Sequence, residues 1–295
     1  MSVSEVKTKK NFNIGDFLMS IIPLLIMLCL NTAATIPAMI VGFMENRDSL
    51  EGGTFDPLLM LSGDNAQLAL SIGFICYAII SITLFGIWYK KSFLKDRISV
   101  SNKEVFTVKK IVIAIIGMLG FWAIANLYVN LLQVIAPSFY ESYETAMNSA
   151  GFGSNWLTTI FYVCTLGPIA EEFIFRGVTQ AYLKRSGAAA PVVIIVQAIL
   201  FGIAHMNFVQ STYAAVLGLF LGLLAYKYGN IRICCLAHMA NNTASVVIPM
   251  IFSALGLQET ASTVFFVTMS VIGLVISFFL LKTPTRNIDK VAVAA

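Results

Sequence analysis

Polar residues are confined to short runs in this chain, and between them lie apolar stretches too long for strands and apolar on every helical face. A bilayer-spanning helix needs about 20 consecutive, mainly apolar residues. Seven windows free of Asp, Glu, Lys and Arg meet or approach that length, and an eighth meets it while carrying charges. In order they cover approximately 17–44, 66–89, 111–136, 156–183, 188–208, 211–226, 233–254 and 261–281. The sixth is short and its ends are soft. The pattern predicts an all-α, polytopic membrane protein of about eight transmembrane helices. A secretory signal peptide is the rival reading of the first window, because Lys7, Lys9 and Lys10 precede it and NTAA could mimic a cleavage site. The apolar run continues to Met44, longer than a signal peptide's hydrophobic region, which favours an uncleaved span.

Composition agrees. Of 295 residues, 58% are hydrophobic and 12% charged, and the mean hydropathy is +0.83; soluble domains run at roughly 45–50% apolar and about 25% charged. Short cytoplasmic loops carry an excess of Lys and Arg. Here 17 of the 19 basic residues fall in the tail and loops of one side: Lys7 to Lys10, Lys90 to Lys110, Lys184 and Arg185, Lys227 and Arg232, and Lys282 to Lys290. The other side holds Arg47 among Glu45, Asp48, Glu51, Asp56, Asp64, Glu141, Glu144 and Glu259. Both termini are therefore expected in the cytoplasm, and the chain in the cell membrane. The net charge of +4 reflects this topology; no basic patch interleaved with aromatics calls for a nucleic-acid partner. The five cysteines sit in predicted spans, odd in number and without CxxC spacing, against a disulfide framework or thiolate metal site.

The nineteenth basic residue is Arg176, inside the fourth window with Glu171 and Glu172 in GPIAEEFIFRG. A charge at the bilayer centre costs at least about 2.5–3.5 kcal/mol, so such residues face the protein interior and mark function by default. Residues four apart share a helix face. Glu172 and Arg176 are thus expected to pair, while Glu171, about 100° around the helix, is left free. Pro168 removes one backbone donor and can kink the span. The rival reading is a buried polar cluster that only fixes helix packing. His205 and His238, the two histidines of the chain, lie in two further spans, with Phe201 and Asn242 four residues from them on the same faces. No GxSxG elbow, HExxH pair or reactive-cysteine context supplies a nucleophile. A partly buried glutamate beside an imidazole can take a proton from water and pass it to a leaving amine. A second histidine and an amide can donate to a tetrahedral oxyanion. Those groups together suit peptide-bond hydrolysis.

EExxxR at Glu171, Glu172 and Arg176, FxxxH at Phe201 and His205, and HxxxN at His238 and Asn242, in this order on successive spans, resemble the CPBP group. It comprises type II CAAX prenyl endopeptidases and bacteriocin-processing and self-immunity proteins, also called the Abi family of intramembrane metalloproteases. The resemblance covers about residues 156–250. It implies that Glu171 and His205 activate the catalytic water, that His238 and Asn242 stabilise the oxyanion, that Glu172 and Arg176 support them, and that Phe201 packs the motif. It divides one membrane domain into an N-terminal three-span region with a basic loop (1–155), a catalytic core (156–250) with its cavity inside the bundle, and a last span with a tail (251–295). The substrate is then a peptide or membrane-protein segment met in the lipid bilayer, with bacteriocin or pheromone processing or self-immunity as the setting. A proton-coupled small transporter and a non-catalytic membrane scaffold of the same fold are the alternatives.

The name metalloprotease raises zinc as a cofactor. Glu171, His205 and His238 could supply the three protein ligands of an open zinc site, or act on water directly; the metal-free mechanism is slightly preferred. Depth is the awkward point. At about 1.5 Å per residue from the basic loops, Glu171 lies roughly 20 Å deep, His205 about 26 Å and His238 about 9 Å, so straight helices starting in one plane would not bring them together. A tilt, the Pro168 kink or a re-entrant start near Cys234 and Cys235 could. Gly218 and Gly222 form GxxxG, read as tight packing within the chain rather than dimerisation. Residues 89–110 read as an amphipathic cytoplasmic segment or a solvated basic loop, and Trp88, Trp122 and Trp156 as interface anchors or packing.

Overall fold

The computed structural model describes residues 11–47, 61, 63–95, 100–149, 156 and 158–286, and no strand occurs among them. The helices are α1 (Ile14–Met19), α2 (Ile22–Glu45), α3 (Asp64–Tyr89), α4 (Asn102–Val105), α5 (Val108–Ile135), α6 (Pro137–Ser149), α7 (Thr158–Arg185), α8 (Ala190–Ile203), α9 (Phe208–Tyr228), α10 (Ile231–Ala254) and α11 (Glu259–Lys282). Seven helical segments are long and apolar enough to cross a membrane, α1 and α2 counting as one, and α8 is a shorter apolar helix. The protein is an all-α, multi-pass membrane protein with roughly eight spans.

Two boundaries differ from the sequence reading. The fifth window holds only the 14 residues of α8, because the chain turns at Ala204 and His205 and Met206 adopts a left-handed φ of +54°, uncommon outside glycine. The sixth, short in sequence, is the 21-residue α9; its polar first turn is capped by the Asn207 side chain, which accepts from the Gln210 amide at 3.1 Å. Within 89–110 the chain forms a π turn over Lys90–Leu94 and the four-residue α4, started by a Ser101/Glu104 capping box; residues 96–99 lie outside the described part.

Two groups of helices meet at α7. On one side α2 packs along α3, and α3 against α7 from Thr158 to Thr179; on the other α5 packs on α10 and α11, and α8 on α9. Apolar side chains of α2, α3, α7 and α8, among them Tyr77, Phe85, Ile174, Phe175 and Phe201, form the core between them. The described basic segments gather at one end. Arg185 binds Asp16 at 2.7 Å and lies over the Phe93 ring at 5.0 Å, Lys227 donates to the carbonyls of Leu281 and Thr283, and Arg232 reaches Asn102 and the Val100 carbonyl. Lys7, Lys9, Lys10, Arg97 and Lys290 lie outside the described residues. Of the tryptophans, Trp88 and Trp122 point inward, donating to Tyr182 and Ser245, and Trp156 is exposed.

Candidate functional site

Helix α7 departs from α-helical register twice. Thr158–Leu166 and Phe173–Thr179 are π-helical, flanking the α turn Gly167–Glu172. In π register each amide reaches the carbonyl five residues back, so Pro168, with no N–H, leaves the Val163 carbonyl unserved. The amide of Asn242 on α10 donates to that oxygen at 2.8 Å. The unsatisfied acceptor that proline creates thus becomes the point where α10 is pinned to α7.

The expected pair of Glu172 and Arg176 is present. Nη1 of Arg176 donates to Oε1 of Glu172 at 2.9 Å, with both side chains fully buried. The same carboxylate oxygen accepts from Nδ1 of His238, also at 2.9 Å. Because an ionised carboxylate can only accept, Nδ1 carries a proton, and in the neutral form of the ring Nε2 presents a lone pair. It faces Oε2 of Glu171 at 3.6 Å, beyond direct hydrogen-bond distance. Glu171 retains 15% of its side-chain exposure. His205 is oriented in the same manner: its Nδ1 donates to the Phe201 carbonyl at 2.9 Å, which leaves Nε2 as the acceptor, within electrostatic reach of Glu171 and His238.

Phe201 holds these parts together. Its ring, 2% exposed, meets His205 edge to face at 5.0 Å and His238 at 5.7 Å, packs on Phe175 at 5.2 Å and lies 4.4 Å beneath the guanidinium of Arg176. Such cation–π contacts gain when desolvated, up to about 2 kcal/mol or more. Phe201→Leu is expected to keep the fold but loosen both imidazoles; broadened histidine ring resonances would show it, and unchanged ones would contradict it.

The depth difficulty disappears because the helices do not start in one plane. Ile231, the first residue of α10, shares a cleft with Arg176, Gln180 and Lys184 of α7. His238, seven residues on, therefore comes level with Glu172, while α7 continues about 10 Å beyond the start of α10. Helix α8, at about 21 Å, ends near the level of Glu171. Neither the Pro168 kink nor a re-entrant loop is required; Cys234 and Cys235 lie inside a continuous α10.

The sequence reading missed a polar seam continuing from this site. Glu172, Arg176 and Gln180 succeed one another at i, i+4 and i+8, and the last two donate to the carbonyls of Gly218 and Gly222 on α9, at 3.5 and 3.1 Å. Gln197 of α8 donates to Gly218 as well, at 2.8 Å. The GxxxG glycines therefore serve contacts inside the chain: without side chains they bare two carbonyls to three buried donors. A Cβ on Gly222 would run into the Gln197 amide, and one on Gly218 would meet Ala198 Cα at 3.1 Å. Gly222→Leu is expected to cost about 1–3 kcal/mol through overpacking, read as a lower midpoint of thermal unfolding in detergent; an unchanged midpoint would contradict the seam. The signal was available as the EExxxRxxxQ spacing, hidden because glutamine does not interrupt a charge-based window. Buried Tyr77 and half-buried Tyr162, both electrostatic neighbours of Glu171, are hidden for the same reason.

Glu171, His205 and His238 are the donors that the sequence offers to zinc. The acceptors on both Nδ1 atoms are the outer partners that zinc-bound histidines have, yet a zinc site takes at least three protein ligands. Among the described residues no three of His, Cys, Asp or Glu surround one point so as to hold an ion.

No curated protein and no solved structure matches the chain. Residues 153–244, the stretch that carries Glu171, Glu172, Arg176, Phe201, His205, His238 and Asn242, match the Rce1-like family, described as type II CAAX prenyl endopeptidase Rce1-like, in agreement with the resemblance of their motifs.

Proposed function

We propose that the chain is an intramembrane endopeptidase of the CAAX-protease type, in which Glu171 and His205 activate water. The family match supports the class. The observation that carries the mechanism is the division of labour between adjacent carboxylates: Glu172 is buried, neutralised by Arg176 and bound to His238, while Glu171 is partly open and faces His238 at 3.6 Å. Glu171 takes one proton of a water molecule, with the Nε2 lone pair of His205 as the second acceptor holding it. The hydroxyl oxygen bonds to the peptide carbonyl carbon, whose oxygen takes up the negative charge. When the C–N bond breaks, the proton on Glu171 passes to the leaving amine, and acid and amine products leave with Glu171 again ionised. Glu172 keeps His238 in one tautomer and orientation throughout.

The substrate is a peptide or membrane-anchored segment, processed in the cell membrane with both termini of the enzyme in the cytoplasm, in a bacteriocin-type, pheromone or self-immunity setting. Residues 156–250 form the catalytic core. The test is incubation of the purified chain in proteoliposomes with a panel of membrane-anchored peptides, followed by mass spectrometry. Discrete products lost in His205→Ala and His238→Ala support the reading. Proton-dependent solute flux without any product would favour the transporter. Treatment with a chelator is expected to leave cleavage unchanged; its loss, with recovery on adding zinc, would overturn the metal-free mechanism.

A further inference from the structure

In the resemblance His238 and Asn242 stabilise the oxyanion, but the structure gives both of them other partners. Nδ1 of His238 donates to Glu172, and its Nε2 looks at Glu171. Asn242 commits one N–H of its amide to Val163 and its oxygen to the Asn241 amide at 2.8 Å, which leaves one N–H. A tetrahedral intermediate formed beside Glu171 gains from each further donor held in place beforehand, since charge developing in a water-poor site is stabilised chiefly by preorganised hydrogen bonds.

Helix α3 provides one. Tyr77 is 2% exposed, packs in the same core as Ala170 and Ile174, which flank the glutamates, and stands edge-on to Tyr162 at 6.3 Å. Its hydroxyl is buried and makes no hydrogen bond of standard geometry; the Ser81 hydroxyl, one turn along the same face, is likewise without one. Glu171 is the carboxylate that acts electrostatically on the Tyr77 phenol. A buried O–H without a well-formed bond typically costs a few kcal/mol; the Ser81 hydroxyl is its polar neighbour on α3.

We propose that Tyr77 is a catalytic residue of the reaction assigned above, its phenolic O–H donating a hydrogen bond to the oxyanion formed when water attacks the substrate carbonyl. It donates no proton outright, so the balance of the hydrolysis is unchanged. This inference rests on the endopeptidase reading and adds to it a residue from the span 64–89, outside the stretch matched to the family. It also gives α3 a chemical task besides packing: substrate carbonyls are taken on the side of Glu171 that faces α3.

Tyr77→Phe removes the donor and keeps the ring. With a cleaved peptide in hand, it is expected to lower kcat about 100-fold, as loss of one oxyanion donor does, with KM unchanged and the thermal midpoint at or above wild type. Ser81→Ala is expected to stay within about twofold of wild type. A purely packing role for Tyr77 predicts no change in kcat for the phenylalanine variant. If Glu171→Gln abolishes cleavage while Tyr77→Phe retains wild-type kcat, the inference is wrong and the endopeptidase reading stands. If Glu171→Gln cleaves normally, the assignment of water activation to Glu171 falls, and the inference with it.

Discussion

Glu171→Gln is expected to lower kcat by about 10²–10⁴-fold, the range that a positioned general acid–base contributes, with KM and thermal stability little changed. Glutamine fills the same volume and can hold a water, but it cannot accept the proton that the attacking water must lose. Stability is spared because no hydrogen bond to Glu171 occurs among the described residues; Nε2 of His238 stands 3.6 Å away. Steady-state cleavage and a thermal melt on the same preparation check both halves. The neighbouring substitution Glu172→Gln is the informative contrast. It removes the negative charge that Arg176 and His238 share and leaves a neutral amide oxygen as their acceptor, so lowered stability is expected with the lowered rate. Equal effects of the two substitutions on rate and on stability would contradict the assigned division of labour.

Arg176→Met is expected to destabilise the protein by about 3–5 kcal/mol, because removing one partner of a fully buried ion pair leaves the other charge uncompensated. Glu172 would keep its bond to His238 but lose its permanent counter-charge in a region without solvent, and the Gly218 carbonyl would lose a donor. The double variant Glu172→Gln with Arg176→Met removes the stranded charge and is expected to recover most of the loss. Thermal unfolding in detergent of the two single variants and the double variant forms the cycle. Additive losses would mean that the two side chains do not act as a pair.

How far these assignments could be reached without coordinates differs residue by residue. The spans were legible because hydrocarbon imposes length and composition on a helix, and the pairing of Glu172 with Arg176 because i and i+4 share a face. Their separation from Glu171 follows from the same geometry. Asn242 was found as a motif residue, but its bond to Val163 depends on α7 being π-helical ahead of Pro168, a register that no local pattern announces. The depth estimate failed for a plain reason: it started every helix from the same membrane plane, whereas α10 begins beside Arg176 and Gln180, well short of the end of α7. Gln180, Gln197 and Tyr77 escaped because a search for charges passes over neutral polar groups, which in a membrane interior carry much of the hydrogen bonding. Gly218 and Gly222 were read correctly as intrachain contacts, but their partners, the buried side chains of Arg176, Gln180 and Gln197, come from two other helices.

The most direct measurement of the central claim, that Glu171 activates water for peptide hydrolysis, is cleavage in ¹⁸O-enriched water. Product peptides from the wild-type chain and from Glu171→Gln would be weighed by mass spectrometry. One heavy oxygen in the new carboxyl group from the wild-type chain, with product formation by Glu171→Gln reduced at least about 100-fold, is the predicted result. Product formed by Glu171→Gln at the wild-type rate would contradict it.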